Sequence, residues 1–357
     1  MNTRVVSFPP PIDRNPYQAL LYRHLADQGV EVGSAGRFTV GWLHENRALV
    51  TTLHFHWPEY YYRFDRGPHA ARGLLSWARL VLFAVRLTVA RRLGYRIVWT
   101  VHQLSPHESS SRRLDRAGAW LLARSSHVLI ALDRSTAGAL AAELSGSAAR
   151  IRVIPHGSYI GVYPRGRPRA EVRSHLGISG DAFVVLSFGQ IRKYKQVDVL
   201  VEGFRAAHIP QGALLVAGLP LDGEESRHLA EAAGAGREIV TVLEFVPNEG
   251  VAELFDASDV AVTTRIDGGT SGAAVLALSL GLPIVAPSLP AYEELTGGGR
   301  AGWHFDSGDA GSLAAALRLA AASPAVRAEK ARAALERAER LAWPEIAAQT
   351  AAALRPA

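Results

Sequence analysis

The chain has no cysteine in 357 residues and only three lysines against 36 arginines. Without cysteine there are no disulfides, thiolate metal sites or cysteine nucleophiles, which is compatible with a reducing cytoplasm. Low-complexity tracts and short repeats are also missing. So is an uninterrupted apolar run of membrane length: segment 73–94 carries internal arginines, and the uncharged stretch 270–292 is split by Gly281 and Pro283. No basic and apolar leader precedes Val5-Val6-Ser7-Phe8, which already reads as a strand, so the expectation is an ordered, cytoplasmic protein without a signal peptide. Hydrophobic residues make up 48% of the chain, enough for substantial cores, and the length allows two or three domains.

Charge is divided unevenly. Residues 1–180 hold 24 Lys and Arg against 11 Asp and Glu, a net +13, and the remainder holds 15 against 22, a net −7. The basic half should attract an anionic partner, either a membrane surface or a phosphorylated acceptor. Nucleic acid is not expected, since no helix-turn-helix, zinc-finger or aromatic-basic signature accompanies the charge.

Short apolar runs alternate with helical patterns along the whole chain. Strands are expected at 4–8, 48–56, 96–102, 128–132 and 152–155, then at 183–188, 213–217, 239–245, 260–264 and 283–286. Such alternation predicts an α/β protein with parallel sheets and crossover helices, repeated in two halves. The segment 155–168, rich in Gly, Pro and Tyr, reads as the linker between a domain of residues 1–160 and one of residues 161–342. Ala-rich residues 311–353 read as helices broken at Ser323-Pro324 and Trp343-Pro344. Segment 73–94 reads as a crossover helix, with an interfacial helix on anionic lipid as the alternative.

Two glycine loops carry the chemistry. In Phe188-Gly-Gln-Ile-Arg-Lys-Tyr-Lys a buried strand breaks at Gly189 into a loop bearing Arg192, Lys193 and Lys195, with a helix from about residue 197 to 207 beginning just beyond. Glycine lets backbone N–H groups approach a ligand, and a helix start favours an anion. The second loop, Asp267-Gly-Gly-Thr-Ser-Gly272, opens another helix, with Thr270, Ser271 and Gly272 as its start. Together the loops suit a diphosphate. Ser271 and Thr270 also read as ordinary helix caps, and Asp267 as either a cap or a sugar ligand.

The order of these features resembles the GT-B glycosyltransferases, specifically the family 4-like enzymes that use nucleotide-sugar donors. The resemblance is carried by the Phe188 loop, by Phe245-Val-Pro-Asn-Glu-Gly-Val-Ala-Glu-Leu-Phe-Asp, by the second glycine loop and by Trp343-Pro-Glu-Ile. Leu53-His-Phe-His-Trp-Pro-Glu, Thr100-Val-His-Gln-Leu-Ser-Pro-His-Glu and Ile154-Pro-His-Gly-Ser-Tyr look most like transferases of surface-polysaccharide or glycoconjugate assembly. The resemblance implies two Rossmann-like domains facing a cleft, with helix 343–357 crossing back to the first. It implies transfer of a sugar from a GDP- or UDP-sugar to a glycan, glycolipid or small-molecule acceptor, with retention of configuration. Two departures stand out: Gly268 and Leu276 occupy the positions of the family's usual glutamate pair, and Gln190 stands where many members have an arginine.

Gly189, Arg192, Lys195, Val246, Asp267, Thr270, Ser271, Gly272 and His156 are therefore the donor-binding candidates. His102 follows a strand at the carboxyl end, where open α/β sheets place ligands. With Asp13 and Glu108 it is the candidate catalytic group; His107 is a further acid/base candidate. Arg14, Asn15, Tyr17, Trp57 and Glu59 are the acceptor-side candidates, with Asn15 also read as a helix cap before Pro16. His54 and His56 alternate on a strand without an obvious third ligand, and no Asp-x-Asp motif is present, so no metal and no cofactor are expected. An inverting base would be sought among Asp13, Glu59, His102 and Glu108. A nucleotide-sugar epimerase on the same fold, or a non-catalytic sugar-nucleotide-binding subunit, is the alternative reading.

Overall fold

The computed structural model of the protein describes residues 3–12, 15–34, 36–64, 69–103, 111–144, 148–221, 223–234, 236–266 and 268–356, the side chains of 69 and 70 excepted. The chain divides into two compact units, Met1–Gly157 with Ala342–Ala357, and Ser158–Leu341. The division falls after Gly157, inside the glycine- and proline-rich segment 155–168.

The first unit runs β1 (Arg4–Phe8), α1 (Pro16–Asp27), β2 (Glu31–Val32), α2 (Val40–Asn46), β3 (Thr52–Phe55), α3 (Glu59–Tyr62), α4 (His69–Arg92), β4 (Arg96–Val101), α5 (Arg112–Ser125), β5 (Val128–Ala131), α6 (Arg134–Glu143) and β6 (Ile151–Val153). The strands form one parallel sheet in the order β2-β1-β3-β4-β5-β6, with Phe8 beside Phe55 and Phe55 beside Trp99. β3 and β5 are buried along their whole length, as expected of strands covered on both faces. Phe8, Phe38, Phe55 and Phe83 pack with Leu43, Leu53 and Leu87 to form the core.

The second unit runs α7 (Arg169–His175), β7 (Phe183–Phe188), α8 (Val197–Ala206), β8 (Gly212–Ala217), α9 (Gly223–Gly234), β9 (Ile239–Val242), α10 (Asn248–Asp256), β10 (Val260–Val262), α11 (Gly272–Ser279), β11 (Ile284–Pro287), α12 (Pro290–Thr296), β12 (Gly302–Phe305), α13 (Ala310–Ala322) and α14 (Pro324–Glu339). Its parallel sheet has the order β12-β11-β10-β7-β8-β9. Ser323 caps α14 by accepting from the Val326 N–H, with Pro324 as the first helical residue, so the Ala-rich region breaks where the sequence predicts. The last helix, α15 (Trp343–Leu354), belongs to the first unit. There the Leu354 carbonyl accepts from Thr52 Oγ1 at 2.9 Å and the Ala353 carbonyl from Arg96 Nε at 3.0 Å.

Two strands escaped the sequence reading. β2 is two exposed residues, and β12, Gly-Trp-His-Phe, contains no aliphatic run; both are edge strands held by a single neighbour. Helix α4 is the crossover between β3 and β4, burying Leu80, Phe83, Leu87 and Ala90. Its stretch Ala71–Arg92 is long and apolar enough to cross a membrane by length and composition. In this fold one side packs on the core while Leu74 (75% exposed), Trp77 and Val81 (63%) face outward.

Candidate active site

In the second unit the strand order reverses between β7 and β10, which are neighbours although β8 and β9 separate them in the chain. Ligands of open α/β sheets bind beyond the carboxyl ends of the strands at such a switch point. Gly189, the first residue after β7, has φ 102°, and its N–H donates to the Ala217 carbonyl at 2.9 Å. Gly218 passes so close that a β-carbon there would lie 2.2 Å from the Gly189 oxygen. A 3-10 turn, Lys193–Lys195, then leads through Gln196, in the left-handed region at φ 45°, into α8.

This turn folds the cations back over the strand end. Lys195 Nζ donates to the Phe188 carbonyl at 3.0 Å, and Arg192 Nε donates to Gln190 Oε1 at 3.3 Å. The loop after β10 closes on the same place: Thr264 Oγ1 donates to the Lys195 carbonyl, and the Arg265 guanidinium lies 5.3 Å over the Tyr194 ring. Ser271, buried, caps α11 by accepting from the Ala274 N–H at 3.3 Å, and Gly272 is the first helical residue. Thr270 is half-buried just ahead of the cap, and Val246 is half-buried just ahead of α10. Leu276, at a position of the glutamate pair, is buried within α11, while Gly268 is exposed. The arrangement offers the positive charge of the β7 loop and the N-terminal end of α11 to an anion.

In the first unit the corresponding reversal lies between β1 and β3. Side chains from β3, β4 and α1 make an unbroken buried chain of hydrogen bonds there. Thr100 Oγ1 meets His54 Nε2 at 2.8 Å, and His54 Nδ1 meets the Tyr22 hydroxyl at 2.8 Å. That hydroxyl meets His56 Nε2 at 2.9 Å, and His56 Nδ1 meets His102 Nε2 at 3.0 Å. Both ring nitrogens of His54 and of His56 are thus engaged by protein groups. Trp57 stacks on His102 with centroids 4.4 Å apart and planes 15° apart.

Tyr17 sits at the centre of this aromatic cluster. Its ring lies 5.1 Å from His102, 4.6 Å from His156 and 5.8 Å from Trp343. The His156 Nδ1–H donates to the Gly157 carbonyl at 2.7 Å, and a β-carbon on Gly157 would lie 2.4 Å from the Trp343 ring. Burial pushes His54 and His102 down to about 3 and His156 down to about 4, and holds His56 well below the ordinary value. All four imidazoles are neutral at pH 7. Burial likewise raises Tyr17 and Tyr22, which keep their protons.

The structure brings His102, His156, Tyr17 and Trp57 together in the first unit; in the second, Gly189, Arg192 and Lys195 lie in the loop after β7, and Thr270, Ser271 and Gly272 lie at the start of α11, the helix that follows the neighbouring strand β10. Tyr17, expected on an open acceptor loop, is the second residue of α1 and only 4% exposed, because His102, His156 and Trp343 enclose it. Asn15 Oδ1 is spent on capping α1, accepting from the Tyr17 N–H at 3.2 Å. Glu59 opens α3; burial raises its carboxyl, and it feels the charges of the Arg63 and Asp115 pair, whose closest contact is 2.6 Å. Asp13, Arg14, His107, Glu108 and Asp267 lie outside the described residues. The sequence reading missed Tyr22, Trp343 and Arg265. Arg265 could have been found from its place just after a strand at a switch point; Tyr22 and Trp343 look like core aromatics of helices.

Residues 168–340 match the family described as Glycosyl transferases group 1. A GDP-mannose:glycolipid 4-beta-D-mannosyltransferase of Xanthomonas campestris pv. campestris is 27% identical over 286 residues, covering 78% of this chain and 71% of that protein. A D-inositol 3-phosphate glycosyltransferase of Streptomyces avermitilis is 28% identical over 234 residues, 62% of this chain and 50% of that one. Among solved structures, Anabaena Alr3699/HepE in complex with UDP-glucose superposes with a TM-score of 0.75 at 18% identity, covering 98% of both chains.

Proposed function

We propose that in this glycosyltransferase of GT-B fold, whose residues 168–340 match the Glycosyl transferases group 1 family, the second unit holds the diphosphate of a GDP- or UDP-sugar and the first unit the acceptor. The observation that carries the donor assignment is the meeting of the β7 and β10 loops, which brings Arg265 to the loop that bears Arg192 and Lys195 after the glycine break. Fixed cations and N–H groups stabilise a departing diphosphate without a bound metal. The family 4-like resemblance favours retention, the leaving phosphate taking the acceptor proton, whereas the beta linkage in the name of the Xanthomonas relative requires inversion of an α-linked donor. Of the four groups that could serve as an inverting base, Glu59 belongs to the Arg63 and Asp115 charge cluster, His102 is a neutral ring already bonded to His56, and Asp13 and Glu108 lie outside the described residues.

The acceptor we propose is a glycolipid presented at the cytoplasmic face of an anionic membrane, as the name of the Xanthomonas relative suggests. On α4, Leu74, Leu75, Trp77, Val81, Leu82 and Val85 are exposed beside Arg79, Arg86, Arg91 and Arg92; on α5, Trp120 is exposed among Arg112, Arg113, Arg116 and Arg124. Apolar and basic residues so interspersed suit an interface with anionic lipid. The deciding experiment incubates the protein with GDP-mannose and UDP-glucose in excess EDTA, with and without a lipid extract. Acceptor-dependent release of nucleoside diphosphate in EDTA supports the reading, and NMR of the product's anomeric proton reads the stereochemistry. Release that needs Mg²⁺ or Mn²⁺ refutes metal independence, and an epimerised sugar without acceptor refutes transfer as the reaction.

A further inference from the structure

We propose that the chain Thr100, His54, Tyr22, His56 is a polarised hydrogen-bond relay that fixes His102 as the Nδ1–H tautomer, so that His102 offers a hydrogen-bond donor and not a base to a substrate oxygen. The polarity is set at the buried end. Thr100 is 1% exposed and its hydroxyl has one hydrogen-bond partner among the described residues, His54 Nε2. If Thr100 accepted there, its own proton would be buried without an acceptor, so it donates.

Every later bond follows from the first. His54 receives at Nε2, so as a neutral ring it carries its proton on Nδ1 and donates it to the Tyr22 oxygen. Tyr22, having accepted from His54, donates to His56 Nε2. His56 therefore carries its proton on Nδ1 and donates it to His102 Nε2. His102 is left with its proton on Nδ1, which has no hydrogen-bond partner among the described residues. Ser7, the other polar group near the Tyr22 hydroxyl, is committed elsewhere: its proton goes to the Pro9 carbonyl at 2.7 Å and its oxygen accepts from Gln18 Nε2 at 2.9 Å, while the Tyr22 hydroxyl lies at 2.8 and 2.9 Å from the two imidazoles. The chain contains five protons, and four bonds use four of them. The fifth is the one on His102 Nδ1.

The two ends differ in surroundings. Thr100 and His54 are sealed in the sheet, whereas His102 is half-buried under Trp57. An N–H held at that end suits a sugar hydroxyl or a phosphoryl oxygen, and it cannot take a proton without reversing all four bonds behind it. Thr100, His54, Tyr22 and His56 are positioning residues in this scheme. The catalytic meaning rests on the transferase reading; the tautomer pattern does not, and it is measurable without substrate.

The test is a long-range ¹H–¹⁵N correlation spectrum of the full chain labelled with ¹⁵N-histidine, assigned with His54→Gln, His56→Gln and His102→Gln. The expected result is an Nδ1–H pattern at all three rings, the tautomer that is the minor one for histidine in water. An Nε2–H pattern at His102 overturns the proposal. Thr100→Val removes the first donor and should abolish the uniform Nδ1–H pattern, while Thr100→Ser should restore it. Retention of the pattern in a folded Thr100→Val variant would show that the threonine does not set the polarity. If that variant does not fold, the wild-type and Thr100→Ser spectra still decide between the two directions. A confirmed pattern in a protein that releases no sugar would sink the transferase reading and leave the relay standing.

Discussion

Replacing Lys195 with alanine should weaken nucleoside-diphosphate binding by about 10- to 150-fold. Its ammonium is held 3.0 Å from the Phe188 carbonyl and 3.2 Å from where a β-carbon on Gly189 would sit, at the mouth of the loop that approaches the anion. A charged hydrogen bond to phosphate contributes roughly 1.5 to 3 kcal/mol, and each 1.4 kcal/mol is about tenfold in affinity. The lost bond to the Phe188 carbonyl costs about 0.5 to 1.5 kcal/mol of stability, small against a typical total of roughly 5 to 15 kcal/mol, so the variant folds. Arg192→Ala should show a loss in the same range. The double variant should fall short of the sum, because both cations act on one diphosphate. Titration calorimetry with UDP and GDP in EDTA gives the numbers, and circular dichroism confirms folding. Unchanged dissociation constants in both single variants would refute the donor assignment.

Three further outcomes follow from the first unit. His54 and His102 are held near 3 and His156 near 4, whereas the unfolded chain protonates near 6.5, so stability is fully present above about pH 6.5 and is lost as pH falls from there toward 4. Each such ring contributes about 1.4 kcal/mol per pH unit in that window, and a melting temperature unchanged between pH 7.5 and 5 would contradict the neutral cluster. Gly157→Ala should destabilise the protein by about 1 to 3 kcal/mol, measured by urea denaturation, since the new methyl meets the Trp343 ring at 2.4 Å. Converting Arg79, Arg86, Arg91 and Arg92 together to Gln should reduce sedimentation with anionic vesicles at low salt while leaving UDP and GDP binding intact, at about 1 kcal/mol per basic residue near the surface. Equal sedimentation of variant and wild type would defeat the membrane part of the proposal.

Much of the architecture was legible because it is local information. The run Phe183–Phe188 is apolar throughout and bounded by Gly189, so it specifies a buried strand and its end without reference to any other part of the chain. Asn15-Pro16 and Ser323-Pro324 announce helix starts in the same way. The two strands that escaped, Glu31–Val32 and Gly302–Phe305, carry no such pattern, because an edge strand needs one neighbour and not a buried face on each side. The glycine break after β7 was likewise readable, with Arg192 and Lys195 close behind it in the chain. Arg265 joins them from 70 residues further on, through Tyr194 and Thr264, and only the neighbouring of β7 and β10 brings it there.

The relay is the sharpest contrast. From the sequence, His54 and His56 were a pair facing one side of a strand, and Tyr22 was not singled out. Tertiary structure decided that His54 meets Thr100, 46 residues away, and that Tyr22 stands between the two rings, 32 residues from one and 34 from the other. Side-chain periodicity tells which face a residue occupies, and it does so within one element. Which hydrogen-bond partner waits on that face depends on strand order and register, and these are set by the packing of the whole unit.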